Sequence, residues 1–217
     1  MPGVRKFNMK LAIFGASGRT GQHLVEQACA AGYEVTAYVR NPARFSLQHP
    51  DLKVVQGDIQ DPVRVEQALS GSQAVISVLG PASNQPVFEV SRGMEHILAA
   101  MQRQGVRRLV VTIGAGVSDP QDELRPFNHL MNALVKRLSR WVYEDMKRVA
   151  DLVRASDRDW VIVRVPMLTD EPRRGSLKIG WVGKGVGARL SRADLAAFML
   201  RQVQEDTYLH RAPAISN

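Results

Sequence analysis

The 217-residue chain reads as an α/β protein, a doubly wound parallel sheet with helices on both faces and a small C-terminal lid region. Three observations predict this. Short apolar runs alternate with amphipathic stretches over short connections, the spacing of strand–helix crossovers onto one parallel sheet. Runs such as Ala74 to Leu79 are continuously apolar, as strands covered on both faces are. The first run, KLAIFGASGRTG at residues 10–21, breaks into glycines at a GxxGxxG spacing where a helix can begin.

Leu11 to Phe14 read as the first buried strand and a helix starts at about Thr20, so Gly15, Ser17, Gly18, Arg19, Thr20 and Gly21 fall in the turn and first helical residues. Gly15 permits a sharp turn where a side chain clashes. Gly18 opens backbone N–H groups to an anion, Gly21 lets the helix approach the strand, and the positive helix end faces a phosphate. Leu24, Val25, Ala28 and Cys29 continue the helix to Gly32. Cys29, the only cysteine, is a small core residue on that face, and no internal disulfide is possible.

Glu34 to Val39 form the second strand, ended by Arg40 and the turn Asn41-Pro42. An acid at this place, about 20 residues past the glycines, accepts from the ribose hydroxyls of NAD. Here Arg40, with Arg44 beyond it and Arg19 inside the glycine turn, offers paired charge-assisted bonds to a phosphate. The cofactor is therefore expected to be NADP(H) rather than NAD.

Val54 and Val55 open a third strand that closes on Gly57-Asp58-Ile59, and Asp61 and Pro62 supply the N-cap and first-turn proline of a helix to Leu69. Asp58 either accepts from an adenine amino group or serves as a turn carboxylate; with Ile59 it is a candidate cofactor contact. Ala74 to Leu79 form the fourth strand, broken by Gly80-Pro81. Ligands of open α/β sheets sit outside the carboxyl ends of strands, so Leu79 and Gly80 face the cofactor's middle. Val87, Val90, Met94, Ile97, Leu98 and Met101 give a helix stopping at Gly105, and Leu109 to Ile113 the fifth strand, opening into Gly114-Ala115-Gly116.

Residues 118–126 read as a loop, followed by a long helix from about Phe127 to Ala155 and a sixth strand from Trp160 to Val165, ending at Pro166. Residues 167–189 are glycine-rich and alternate around Leu177, Ile179, Trp181 and Val182, which suggests a hairpin or a lid over substrate. Ser191 caps the last helix with Asp194 in a capping-box relation, and Ala212 to Ile215 end the chain.

A length of 217 residues at 45% hydrophobic suits one core, so residues 9–217 are expected to form a single domain preceded by an extension at 1–8. The net charge of +8 invites an anionic partner. Lys136, Arg137, Arg140, Lys147 and Arg148 do not share one clean face, and no recognition motif accompanies them, so nucleic acid is not expected. The five histidines lack metal-ligand spacing. No apolar run approaches the roughly 18–20 residues of a membrane span, and Met1 to Asn8 lack a signal-peptide core. The expectation is a cytoplasmic protein, monomer or homodimer, with a small-molecule substrate and no metal.

Tyr143 and Lys147 form a YxxxK, four residues apart on one helix face. An ammonium there favours the phenolate and suits the tyrosine to proton donation near neutrality. Together the stretches KLAIFGASGRTG, YEVTAYVRNPAR, VVQGDIQD, AVISVLG, GVRRLVV and DWVIVRVPMLTDEP resemble the short-chain dehydrogenase/reductase superfamily in its atypical NAD(P)H-binding branch, including its biliverdin IX-beta and flavin reductases. The likeness runs through nearly the whole chain from Met9. It implies a Rossmann-type fold with NADPH across Gly15 to Gly21, Arg40, Asp58 and Gly80, and the nicotinamide near the end of the fifth strand, Pro166 and Met167. It further implies hydride transfer to a small conjugated or carbonyl-bearing molecule, flavin-, bilin-, quinone- or aldehyde-like. In the carbonyl version Tyr143 donates the proton and Lys147 orients the nicotinamide ribose.

Two positions depart from the pattern. The superfamily's serine after the fifth strand is Gly114 here, and Thr112, on the same face of the strand, is the substitute. The bilin and flavin reductases carry a histidine after the matching proline, where this chain has Met167. A non-catalytic NADP-sensing module, as in the nitrogen-metabolite-repression regulators of this fold, is the alternative; Gly114 favours it and the Tyr143–Lys147 pair opposes it.

Overall fold

The structure, a computed structural model, describes residues 9–123 and 137–217. Six parallel strands form its centre: β1 (Lys10–Phe14), β2 (Glu34–Val39), β3 (Leu52–Gln56), β4 (Ala74–Ser77), β5 (Arg108–Gly114) and β6 (Asp159–Val165). They lie in the order β3-β2-β1-β4-β5-β6, so the chain leaves β1 toward one edge and returns past it to β4. The sheet continues through β10 (Ala214–Ser216), parallel to β6, to β8 (Lys178–Gly180), antiparallel at the outer edge. A separate parallel pair joins β7 (Met167–Thr169) to β9 (Arg189–Ser191).

The central strands β1 and β4 are buried almost throughout because helices cover both faces, whereas β3 at the sheet edge is largely exposed. Along β1, Leu11 and Ile13 enter one layer with Leu24 and Val25 of α1 (Arg19–Ala30) and Leu195 and Phe198 of α5 (Arg192–Arg201). Ala12 and Phe14 enter the other, built from α2 (Pro62–Leu69), α3 (Glu89–Arg103) and α4 (Arg140–Ala155). Successive residues of a strand alternate faces, so each layer takes every second side chain. Cys29 is buried in the first layer, and burial pushes its thiol up to about 11. The two-face reading and the Rossmann-type order agree with the sequence expectation.

Several local expectations are corrected. β4 ends at Ser77, not Leu79, because the backbone of Val78 packs beneath the turn at Gly15. The segment at 167–189 pairs with itself only in part: bridges join Trp181 to Lys184 and Gly185 and Met167 of β7 pairs with Arg189 of β9, while β8 finds the open edge of β10. The Ser191–Asp194 capping box does not form. The Ser191 hydroxyl donates to the carbonyl of Glu171 at 2.8 Å, and Asp194 accepts from the N–H groups of Arg174 and Gly175 at 2.8 and 2.9 Å. Both side chains are taken by the segment that packs over them. Of the helix expected from Phe127 to Ala155, the structure describes α4 from Arg140, after a turn at Ser139 that interrupts helical residues at Arg137 and Leu138. Residues 127–136, with Lys136, and the extension at 1–8 lie outside the described residues. Among the described residues no helix is long and apolar enough to cross a membrane, and no group of three or more His, Cys, Asp or Glu is placed to hold a metal.

Candidate cofactor cleft

A cleft of about 280 Å³ opens at the carboxyl ends of β1, β2 and β4, at the point where the strand order reverses. Its floor is the glycine turn. Gly15 adopts φ +81°, and a Cβ there would lie 3.0 Å from the carbonyl of Val78. A Cβ on Gly21 would lie 2.1 Å from the carbonyl oxygen of Gly15, so only glycine lets α1 start this close to β1. Gly18 is the N-cap of α1; no side chain caps this end, and its first turn carries no acid. The unsatisfied N–H groups of a first helical turn thus face the cleft with their partial positive charge, which fits a pyrophosphate.

Eight of the residues singled out from the sequence line this cleft, namely Gly15, Ser17, Gly18, Arg40, Asp58, Ile59, Leu79 and Gly80. Arg40 is exposed at the end of β2. Asp58 makes a turn bond, Oδ1 accepting from the N–H of Gln60 at 2.9 Å, and lines the cleft. Thr20 and Gly21 are buried in the first turn of α1. Arg44 sits in a short 3₁₀ turn, Pro42–Arg44, that Asn41 caps. Arg19 points its guanidinium at Asp170, 2.7 Å away. Arg19 and Arg44 are not among the described residues lining the cleft.

Tyr38, Gln60, Val78, Ala82, Glu89 and Val90 also line it and were not expected. The Tyr38 ring packs on Phe14 with centroids 5.1 Å apart, and its hydroxyl donates to the carbonyl of Asp58 at 2.8 Å. Burial, with Asp61 and Asp58 nearby, pushes this phenol up to about 12. The available signal was strand alternation, which sets Tyr38 on the same face as Arg40. Glu89 and Val90 had no local signal, because the loop from β4 to α3 brings them over the cleft.

The catalytic candidates stand apart from this cleft. Tyr143 is half-buried on α4 against the layer that holds α3. Lys147, one turn on, forms an ion pair with Asp151 at 2.7 Å; that bond holds its ammonium above the ordinary lysine range, with Glu144 and Tyr143 contributing less. Thr112 is half-buried in β5 opposite Val163, and Gly114 ends that strand exposed, with open space where a Cβ would stand. Pro166 and Met167 follow β6, with Met167 exposed. None of these five candidates, Tyr143, Lys147, Thr112, Pro166 and Met167, is among the described residues lining the cleft.

Residues 15–206 match the model of the NAD(P)H-binding family. The chain is 26% identical over 184 residues to the N-acetyl-alpha-D-glucosaminyl-diphospho-ditrans,octacis-undecaprenol 4-epimerase of Escherichia coli, a match covering 78% of this chain and 52% of that one. The chain thus spans about half the length of the curated relatives it matches first. Among solved structures, a short-chain dehydrogenase/reductase from Veillonella parvula in complex with NADP superposes with a TM-score of 0.80 at 20% identity, covering 96% of this chain and 94% of that one. An anaerobillin reductase from Escherichia coli superposes at 0.75 and 19% identity, covering 96% and 97%. Both likenesses are likenesses of fold.

Proposed function

The chain belongs to the NAD(P)H-binding family, and from that premise we propose that it is an NADPH-dependent reductase of a small conjugated or carbonyl-bearing molecule. One observation carries the choice of NADPH. The cleft that fits a pyrophosphate is lined at the end of β2 by Arg40, where an acid would serve NAD. The backbone of Gly15 to Gly21 cradles the phosphates, Arg40 takes the 2′-phosphate, and Tyr38, Asp58 and Ile59 wall the adenosine end.

When bound, the dinucleotide supplies a hydride. The residues of this chain orient it and manage the proton. In reduction of a carbonyl, Tyr143 gives a proton to the oxygen as carbon gains the hydride, and Lys147, cationic through neutral pH, steadies the phenolate left behind. In reduction of a flavin- or bilin-like molecule, solvent supplies that proton and an apolar pocket under residues 167–189 is enough. The curated relatives include an epimerase and dihydroflavonol 4-reductases, and the substrate class proposed here rests on the resemblance of the chain to the bilin and flavin reductases.

The test is direct. NADPH is expected to bind more tightly than NADH, and Arg40→Ala to remove that preference; an NADH preference in the unaltered protein overturns the reading. Oxidation of NADPH is then screened against flavins, bilins, quinones and aldehydes, with Tyr143→Phe separating the two proton routes. A second reading, an NADP-sensing module without turnover, draws on Gly114 and on the engagement of Lys147 with Asp151. Tight NADPH binding with no oxidation in the whole screen selects it.

A further inference from the structure

Helix α4 grips the start of α3 with one face and carries Tyr143 and Lys147 on another. Trp141, Asp145 and Arg148, four and three residues apart, share the gripping face. Asp145, 3% exposed, accepts from the N–H groups of Val90 and Ser91 at 3.1 and 2.9 Å. Its carboxylate thus satisfies donors that the first turn of a helix leaves open. The Arg148 guanidinium lies 3.7 Å from the centre of the Phe88 ring, and Trp141 meets that ring edge-on with centroids 6.0 Å apart. Phe88 needs the grip, because its φ of 49° is a left-handed conformation that strains a residue with a side chain.

The capping is reciprocal. Asn84, in the segment leading into α3, accepts through Oδ1 from the N–H of Trp141 at 3.0 Å and donates through Nδ2 to the carbonyl of Leu138 at 2.9 Å. Each helix therefore has its first turn held by a residue belonging to the other's side. The segment so held is the cleft wall, since Gly80, Ala82, Glu89 and Val90 line the cleft. Of the two helix starts on this cleft, that of α3 is already filled by the protein's own carboxylate, while that of α1 has no side-chain cap. An anion is directed to α1.

We infer that Asp145 and Asn84 are positioning residues that lock the cleft wall to the helix bearing Tyr143, so that dinucleotide affinity and Tyr143 placement change together. The Tyr143 half rests on the proposed reductase function; the cleft-wall half is read by binding alone. Asp145→Asn turns one acceptor into an NH₂ group facing an N–H donor, and Asn84→Ala removes the return cap. NADPH affinity is measured on the full chain by fluorescence, at a temperature where circular dichroism shows each variant folded. Single-turnover NADPH oxidation is measured for the unaltered protein, Asp145→Asn, Tyr143→Phe and the double variant.

Each capping variant is expected to weaken NADPH binding about tenfold, the scale of one lost hydrogen bond to a charged or helix-end partner. The rate loss caused by Asp145→Asn is expected to vanish in the Tyr143→Phe background. Unchanged NADPH affinity in both variants, with only a lower melting temperature, overturns the inference and leaves two ordinary helix caps. An equal rate loss with and without Tyr143 overturns the coupling. Full turnover by Tyr143→Phe removes the proton-donor role and the Tyr143 half together, while the affinity measurement still decides the cleft wall. Asn84→Ala keeps that measurement available if Asp145→Asn does not fold.

Discussion

Arg164 and Asp122 meet through two 2.7 Å hydrogen bonds, with their side chains 0% and 4% exposed. Arg164 also donates to the carbonyls of Ala212 and Val117, and Asp122 accepts from the N–H groups of Asp119 and Val182. One buried pair therefore ties β6, the loop after β5, the approach to β10 and the segment around Val182. Removing one partner strands a buried charge, so Asp122→Ala is expected to cost about 3–5 kcal/mol of stability in urea unfolding. Replacing both by apolar residues, Arg164→Met with Asp122→Leu, is expected to recover most of that loss. Equal destabilisation by the single and double changes would show that packing, not charge, dominates there.

Gly93 of α3 leaves room for Ile59 in the cleft wall. A Cβ at this position would stand 2.2 Å from Cγ1 of Ile59. Gly93→Ala gains helix propensity of about 1 kcal/mol but pushes Ile59 toward the cofactor. The expected outcome is NADPH binding weaker by about tenfold, consistent with about 1–3 kcal/mol of overpacking, with the melting temperature nearly kept. Calorimetric titration beside a thermal melt checks it; undiminished affinity would place Ile59 outside the binding surface.

Gly114 has open space where a side chain would go, and its backbone is not in the left-handed region. Gly114→Ser is therefore expected to fold normally and to supply the hydroxyl the carbonyl chemistry lacks. Rates with aldehydes or ketones should rise by about tenfold or more, as one well-placed hydrogen-bond donor provides, while flavin or bilin reduction stays level. A flat response across all substrates would argue against carbonyl chemistry at this strand end.

Asp170 bridges the glycine turn to α5, accepting from Arg19 at 2.7 Å and Arg192 at 2.8 Å. The Arg19 pair is well exposed, so its own contribution is at most about 1 kcal/mol. Asp170→Asn is expected to leave stability nearly unchanged and to tighten NADPH binding by up to about fivefold as Arg19 is released toward the phosphates. The gain should shrink in high salt. Weaker binding would mean that Asp170 holds the turn in its binding shape.

Alkaline pH should unfold the protein through two buried acids. Folding raises Cys29 from 9.0 to about 11 and Tyr38 from 10.0 to about 12, burial being the main cause for each. The folded state keeps both protons after the unfolded chain has lost them, so stability falls as pH rises through these windows. Urea midpoints measured from neutral pH upward should drop first with Cys29 and then with Tyr38. Cys29→Ala should flatten the first part of the decline; an unchanged slope would assign it elsewhere.

The alternation of strands and helices, the bounds of β2 and α2, and the glycine turn were legible in the sequence because each depends on residues within a few positions of one another. Periodicity reports which face of an element is buried, and Gly15 and Gly21 act within a single turn. The lining role of Arg40 was legible for the same reason, since its place follows from counting along one strand. Gly93 and Glu89 were not, because nothing local distinguishes a helix glycine that meets a cleft wall from any other.

What only the tertiary structure decided is which polar group meets which. Asp145 and Val90 are 55 residues apart and Arg164 and Asp122 are 42, yet each pair is joined where the sheet stacks its crossovers. Ser191 and Asp194 look like a local cap and are instead bonded to the segment folded over them. A buried hydrogen-bonding group must find a partner, but the chain's local pattern sets only that requirement. The packing of distant elements chooses the partner. The glycine turn is thus a property of twelve consecutive residues, whereas the wall facing it exists only once α3 and α4 are side by side.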